Sequence, residues 1–110
     1  MLPLEGITVL DLTRFLPGAV ATMCLLRFGA EVIKIERPGE GDPARHLAGG
    51  NVFAYTNRGK KSIAIDLKHE KGKNVFRDLA ATADVVFENF RPGVMERLGV
   101  GFDTLAQLNR

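Results

Sequence analysis

Gly29–Arg45, GAEVIKIERPGEGDPAR, reads as the end of a helix, a buried strand and a Gly/Pro-rich loop that arrives at an arginine. Glycine reaches the left-handed conformation without steric cost, so Gly29 suits the position just past a helix. Val32, Ile33 and Ile35 form a β-branched run suited to a parallel strand. Pro38 has no N–H to give to a ladder and stops that strand after Glu36 and Arg37. Ligands of open parallel sheets bind where such strands end. A charged pair followed by a flexible loop at that place suggests a nucleotide-like ligand.

Working outward, four strand-like runs recur: Ile7–Leu10, Val32–Ile35, Ser62–Ile65 and Asp84–Phe87. Each runs into an acidic residue: Asp11, Glu36, Asp66 and Glu88. A helix is expected between the first two, with Pro17 in its first turn, Val20, Met23 and Cys24 at helical spacing, and Gly29 closing it. A second is expected between the last two, with Val75, Phe76, Leu79, Ala80 and Ala83 on one face. Short helices are expected at Val94–Leu98 and Thr104–Asn109, and residues 38–61 as a long loop with a helical turn near Phe53–Tyr55. Strands alternating with amphipathic helices predict an α/β fold, a Rossmann-like open parallel sheet with flanking helices.

With strand order 3-2-1-4, the chain reverses between the first and fourth strands. The loops Thr13–Gly18 and Glu88–Gly93 then face each other across a crevice, with Arg37 beside them. Arg37, Lys68, Arg91 and Arg97 gather at one edge although scattered in sequence. Such a cluster suits a ligand with several phosphates, because arginine offers phosphate oxygens a planar fork.

Composition narrows the class. A chain of 110 residues holds at most one domain, and 45% hydrophobic with 25% charged residues is ordinary for a soluble globular protein. A net charge of +2 and a pI near 8.9 give no reason to expect nucleic acid. No apolar span reaches membrane length, and no basic leader precedes the first strand, so no membrane partner and no signal peptide are expected. One cysteine, Cys24, fits a reducing, cytoplasmic setting.

Several chemistries lack their residues. The loop after the first strand holds Phe15, Leu16, Pro17 and Gly18, not the dinucleotide fingerprint, and RGKKS lacks the glycine spacing of a P-loop. No His/Cys/Asp cluster has metal-ligand spacing, and no nucleophile elbow is present. Lys60 and Lys61 read as a solvated pair beside a strand, Met23 and Cys24 as helix core, and His46 and His69 as residues without a role. Arg37 read alone is a surface arginine paired with Glu36 or Asp42. Asn89 reads as a turn cap before Pro92, and Phe90 equally as core or ligand wall.

Three separated segments carry a resemblance: GITVLDLTRFLPGAVATMCLLRFGAEVIKIERPGEGDPAR, NRGKKSIAIDLK and ADVVFENFRPGVMERLGVGFDTL. In collinear order they look like the N-terminal part of the family III (CaiB/BaiF-like) CoA-transferases, which include carnitine and formyl-CoA transferases and the α-methylacyl-CoA racemases. The resemblance covers essentially all of residues 1–110. It implies that they form part of the large, CoA-binding domain of a longer protein, with no second domain in this chain, and that the chain is a fragment. It also implies an interlocked homodimer, no prosthetic group, and coenzyme A or acyl-CoA with a carboxylic acid as substrates.

Residue by residue, the resemblance gives Arg37 a place against the nucleotide end of CoA. Ile65, Asp66, Leu67 and Lys68 line the adenine and phosphate site. Asn89, Phe90 and Arg91 follow the pantetheine and diphosphate, and Arg97 makes a further phosphate contact. Leu16 and Pro17 fall where the first loop meets the thioester; some transferases carry glutamine at the Leu16 position, so polar assistance is missing there. The family's aspartate nucleophile, and the His/Asp pair of the racemases, match positions beyond Arg110, so no catalytic residue is expected here. The leading expectation is CoA transfer through an aspartyl intermediate. The alternatives are racemisation by proton removal and return, or a non-catalytic CoA-binding or dimerisation fragment.

Overall fold

The computed structural model describes all of residues 1–110. Four parallel strands, β1 (Thr8–Asp11), β2 (Glu31–Glu36), β3 (Lys61–Ala64) and β4 (Val85–Phe87), form one sheet in the order β3-β2-β1-β4. That is the expected strand order, with each strand within one residue of its expected start. In register, Val9 lies opposite Val32 on one side and Val85 on the other, and Ile35 lies opposite Ile63. The helices are α1 (Phe15–Arg27), α2 (Asn51–Thr56), α3 (Glu70–Ala80), α4 (Val94–Arg97) and α5 (Phe102–Leu108). The long connection from β2 to β3 is ordered by two 3₁₀ turns, Pro43–His46 and Ala48–Gly50, before α2.

Successive side chains of a strand point to opposite faces, and the two faces differ here. Leu10, Leu12 and Ile35 join Ile65, Phe76, Ala80, Ala83, Met95 and Val100 in the main core, beneath α3. On the other face Val9, Val32 and Ala30 pack under Leu25 and Leu26 of α1. That second core is small. Toward the strand ends, its face is continued by Asp11, Lys34 and Glu36, all buried.

Gly29 has the conformation required of it. Its φ is +107°, and an added Cβ would lie 2.7 Å from that of Leu2, so α1 can end here only on glycine. The buried side of α1 differs from the expected stripe. Gly18, Ala19, Thr22 and Met23 are buried, whereas Val20 is 39% exposed and Cys24 is exposed, not core. Small residues let the first turns of α1 approach the strand ends closely, which rotates Val20 and Cys24 outward. A Cβ on Gly18 would overlap the Thr13 side chain.

Candidate functional site

Two loops meet above the carboxyl ends of the paired strands β1 and β4. The Asn89 side chain joins these loops: its Nδ2 donates to the Arg14 carbonyl at 2.9 Å, and its Oδ1 accepts the Arg14 N–H at 3.1 Å. Asn89 therefore pairs with a distant backbone as a neighbouring strand would and does not cap its own turn, where Glu88 accepts the Phe90 N–H. The Arg14 guanidinium lies 5.0 Å from the centre of the Phe90 ring, within cation–π range. Phe90 packs on the edge of the main core, so it is both core and wall.

The first loop carries backbone strain. Phe15 has φ +62°, an outlier for a bulky residue, and its ring is 46% exposed beside an equally exposed Leu16. Strained positions of this kind collect at functional sites. Phe15 N–H donates to Asp42 Oδ1 at 3.3 Å, and Lys34 Nζ donates to the Thr13 carbonyl at 2.9 Å. Lys34 and Asp42 are each 1% exposed by side chain and stand 2.7 Å apart. Asp42 Oδ2 is close to the ammonium as a charge but poorly aligned to it as a hydrogen bond. Its other oxygen also accepts the Ala44 N–H and starts the first 3₁₀ turn.

Two further polar groups fill the same layer. Asp11 accepts from Thr13 N–H, Thr13 Oγ1, Thr22 Oγ1 and Lys60 Nζ. Burial disfavours its charge, but the threonine hydrogen bonds and the charges of Lys34 and Lys60 outweigh it and lower its pKa. Lys60 corrects the reading as a solvated residue: its side chain is 1% exposed, and Nζ reaches Asp11, Thr22, Asn57 and the Ala19 carbonyl. Burial pushes its pKa down, against the pull of Asp11. Lys61 is solvated as expected, paired with Glu31 at 2.6 Å.

Glu36 holds Arg45 in a two-pronged pair, both contacts 2.7 Å, and accepts Ser62 Oγ and the Asp42 N–H. The Arg45 hydrogen bonds, against the cost of burial, bring its pKa to about 2. Arg45 stacks on Phe53, 3.9 Å from the ring centre, which fixes α2 over the loop. Arg37 is left free of Glu36 and Asp42. Its Nε donates to the Gly41 carbonyl at 3.2 Å, and its only ionic contact is Glu40 at 3.5 Å, with both side chains well exposed.

The other sequence-derived site residues lie on the loops after the strands. Leu16, Pro17, Asp66, Lys68, Asn89, Arg91 and Arg97 are exposed, Leu67 and Phe90 half-buried, and Ile65 buried in the main core. Asp66 accepts the Lys68 N–H and shapes that turn. Lys68, Arg91 and Arg97 make no ion pair, so their charges stand open to a ligand. No three His, Cys, Asp or Glu side chains are arranged to hold a metal. Asp11, Glu36 and Asp42, though near the crevice, are buried and occupied by donors. They are suited to hold loops, not to attack a substrate.

The buried polar layer escaped the sequence reading. Its one signal is in β2, where Val32, Lys34 and Glu36 alternate with Ile33 and Ile35.

Comparison with known proteins gives a consistent result. The family model of CoA-transferase family III matches residues 4–110. The human succinyl-CoA:glutarate CoA-transferase is 46% identical over 96% of this chain and 26% of its own length. The acetyl-CoA:oxalate CoA-transferase of Acetobacter aceti is 44% identical over 97% of this chain and 29% of its own. The crystal structure of a hypothetical protein from Mycobacterium tuberculosis superposes with a TM-score of 0.95 at 49% identity, covering 99% of this chain and 30% of that one. The chain thus spans between a quarter and a third of the relatives it matches. A family model over nearly the whole chain and relatives at 44–46% identity leave one assignment: the chain belongs to CoA-transferase family III.

Proposed function

We propose that this chain forms the CoA-binding crevice of an enzyme that moves CoA between an acyl-CoA thioester and a carboxylic acid. The observation that carries the reading is that Arg37, Lys68, Arg91 and Arg97, all beyond the carboxyl ends of strands, are unclaimed by strong internal ion pairs. Open positive charge at strand ends suits the phosphates of CoA. Leu16 and Pro17 take the thioester end, Asn89, Phe90 and Arg91 the pantetheine and diphosphate, and Ile65–Lys68 with Arg37 the nucleotide. Arg97 adds a phosphate contact.

The transfer itself is assigned to an aspartate outside residues 1–110, which attacks the thioester carbonyl, expels the CoA thiolate and becomes a mixed anhydride. The thiolate attacks the aspartyl carbonyl and releases the donor acid. The acceptor carboxylate attacks the resulting aspartyl thioester and frees the thiolate, and the thiolate then takes the acceptor's acyl group and restores the aspartate. Family membership supports the transfer, a homodimer and the lack of a prosthetic group, and the single cysteine supports a cytoplasmic location. Calorimetry with CoA and 3′-dephospho-CoA, on the complete polypeptide carrying this chain, tests the binding half. Labelled CoA exchange between succinyl-CoA and a panel of dicarboxylates tests the transfer. Micromolar CoA binding with no exchange would leave a binding module; no CoA binding would end the proposal.

A further inference from the structure

The Thr13–Phe15 turn is held from two sides by side chains. On the crevice side, Asn89 takes both the N–H and the C=O of Arg14. On the buried side, Lys34 takes the Thr13 carbonyl and Asp42 takes the Phe15 N–H, and the two are themselves ion-paired. Four consecutive backbone polar groups are thereby fixed by three side chains from three different segments. The result is a turn that keeps Phe15 at φ +62° and presents Phe15 and Leu16 to solvent at the strand ends.

Two buried charges are a costly way to hold a loop. An apolar pair of similar size is often as stable or more so. Here the pair supplies a donor to the Thr13 carbonyl and an acceptor to the Phe15 N–H, two residues apart, from one buried place. We infer that Lys34 and Asp42 are positioning residues, which set the thioester-facing loop Phe15–Pro17 and so govern the chemical step without contributing to CoA affinity. The inference rests on the proposed reading of the crevice as an acyl-CoA site.

The test uses the complete polypeptide carrying this chain and four variants: Asp42→Asn, Asp42→Ala, the double Lys34→Met/Asp42→Asn, and the control Lys61→Ala. CoA affinity, kcat for exchange, unfolding midpoint and hydrogen exchange of the Phe15 amide are measured for each. Asp42→Ala should lower kcat by about a hundredfold, the order expected for ångström-scale misplacement of a reacting group, with CoA affinity within about threefold. Asp42→Asn keeps an acceptor oxygen for Phe15 and should fall between. The double variant should recover stability, since it removes both buried charges, yet stay slow in exchange, since the Thr13 carbonyl has lost its donor. A double variant whose rate returns along with its stability would overturn the inference and leave the pair as part of the fold alone. Loss of CoA affinity in parallel with kcat would overturn it too. Failure of the wild-type protein to bind CoA would instead end the reading of the crevice, and this inference with it.

Discussion

Asn89 closes two hydrogen bonds on the backbone of Arg14, 75 residues earlier in the chain, and so locks the loop after β4 to the loop after β1. The sheet ladder itself stops at Asp11 opposite Phe87, so this amide extends the pairing beyond the strand ends. Replacing Asn89 by Ala should cost about 1–2 kcal/mol, two modest hydrogen bonds at a solvent-accessible place. It should also weaken CoA binding. Asn89→Asp keeps the acceptor, loses the donor and sets a carboxylate against the Arg14 carbonyl, so it should be no better. Urea unfolding and CoA calorimetry on the two variants check this. Unchanged stability in Asn89→Ala would show that the bridge holds nothing.

Lys60 and Lys61 are neighbours in sequence and opposites in energy. Removing one member of a buried pair leaves the other charge unpaired, typically at about 3–5 kcal/mol, whereas an exposed pair contributes about 0–1 kcal/mol. Lys60→Met should therefore strip Asp11 of its closest cation and destabilise the protein severely. Lys61→Ala should change little. Lys60→Met/Asp11→Asn should regain part of the loss. The comparison is made by denaturant midpoints at constant m-value.

The same two lysines mark how far the sequence could be read. β-Branched runs, helix-ending Gly29 and the alternation of elements are enough for a parallel α/β sheet, because they depend on local propensity and chain connectivity, whereas the strand order and switch point follow from analogy with a Rossmann-like half. Whether a charged residue beside a strand turns inward depends on what the next layer supplies. Lys60 turns inward because Asp11 and Thr22 wait beneath α1, and neither is near it in sequence. Lys34 reads as an interruption in an apolar strand until Asp42 and the Thr13 carbonyl are seen beside it. Helical spacing alone puts Cys24 in the core, but the small residues Gly18, Ala19 and Thr22 form the buried side of α1 and leave Cys24 exposed. The exposed residues Lys68, Asn89 and Arg91, by contrast, sit beyond strand ends because chain connectivity alone puts them there.

Glu36 makes stability depend on pH in a defined direction. Its pKa is lowered from 4.5 to about 2 in the folded protein, chiefly by Arg45. A depressed carboxyl contributes stability that is complete above the unfolded value and is lost as pH falls through the folded one. The loss should therefore run from about pH 5 down to about pH 2, and amount to at most about 3 kcal/mol at 1.36 kcal/mol per pKa unit. Arg45 is partly exposed, so screening by solvent and salt should reduce that figure. Glu36→Gln should flatten this part of the stability profile. A wild-type and a Glu36→Gln profile that stay parallel between pH 5 and 2 would contradict it.

Residues 1–110 by themselves should not exchange CoA. Asp11, Glu36 and Asp42 are buried and paired, and the resemblance places the nucleophile elsewhere. Incubation of the chain with several acyl-CoA and acid pairs, followed by chromatography, measures this. Turnover abolished by a substitution within residues 1–110 would reverse the conclusion.

Arg37 should be the most consequential of the crevice cations. It leaves β2 beside the switch point, and its guanidinium is engaged only by the Gly41 carbonyl and by exposed Glu40 at 3.5 Å. Such a surface pair contributes little and is easily exchanged for a phosphate. A hydrogen bond to a charged group contributes about 1.5–3 kcal/mol, so Arg37→Ala should weaken CoA binding by roughly tenfold to a hundredfold. Arg37→Lys should recover only part, since an ammonium lacks the planar fork. Glu40→Gln releases the guanidinium from its competitor and should hold or slightly improve affinity. Arg58, in the exposed turn before β3, should be nearly silent when replaced by Ala. Calorimetry with CoA on the complete polypeptide and these four variants separates the cases. Equal affinity in wild type and Arg37→Ala, both folded, would return Arg37 to the ordinary surface.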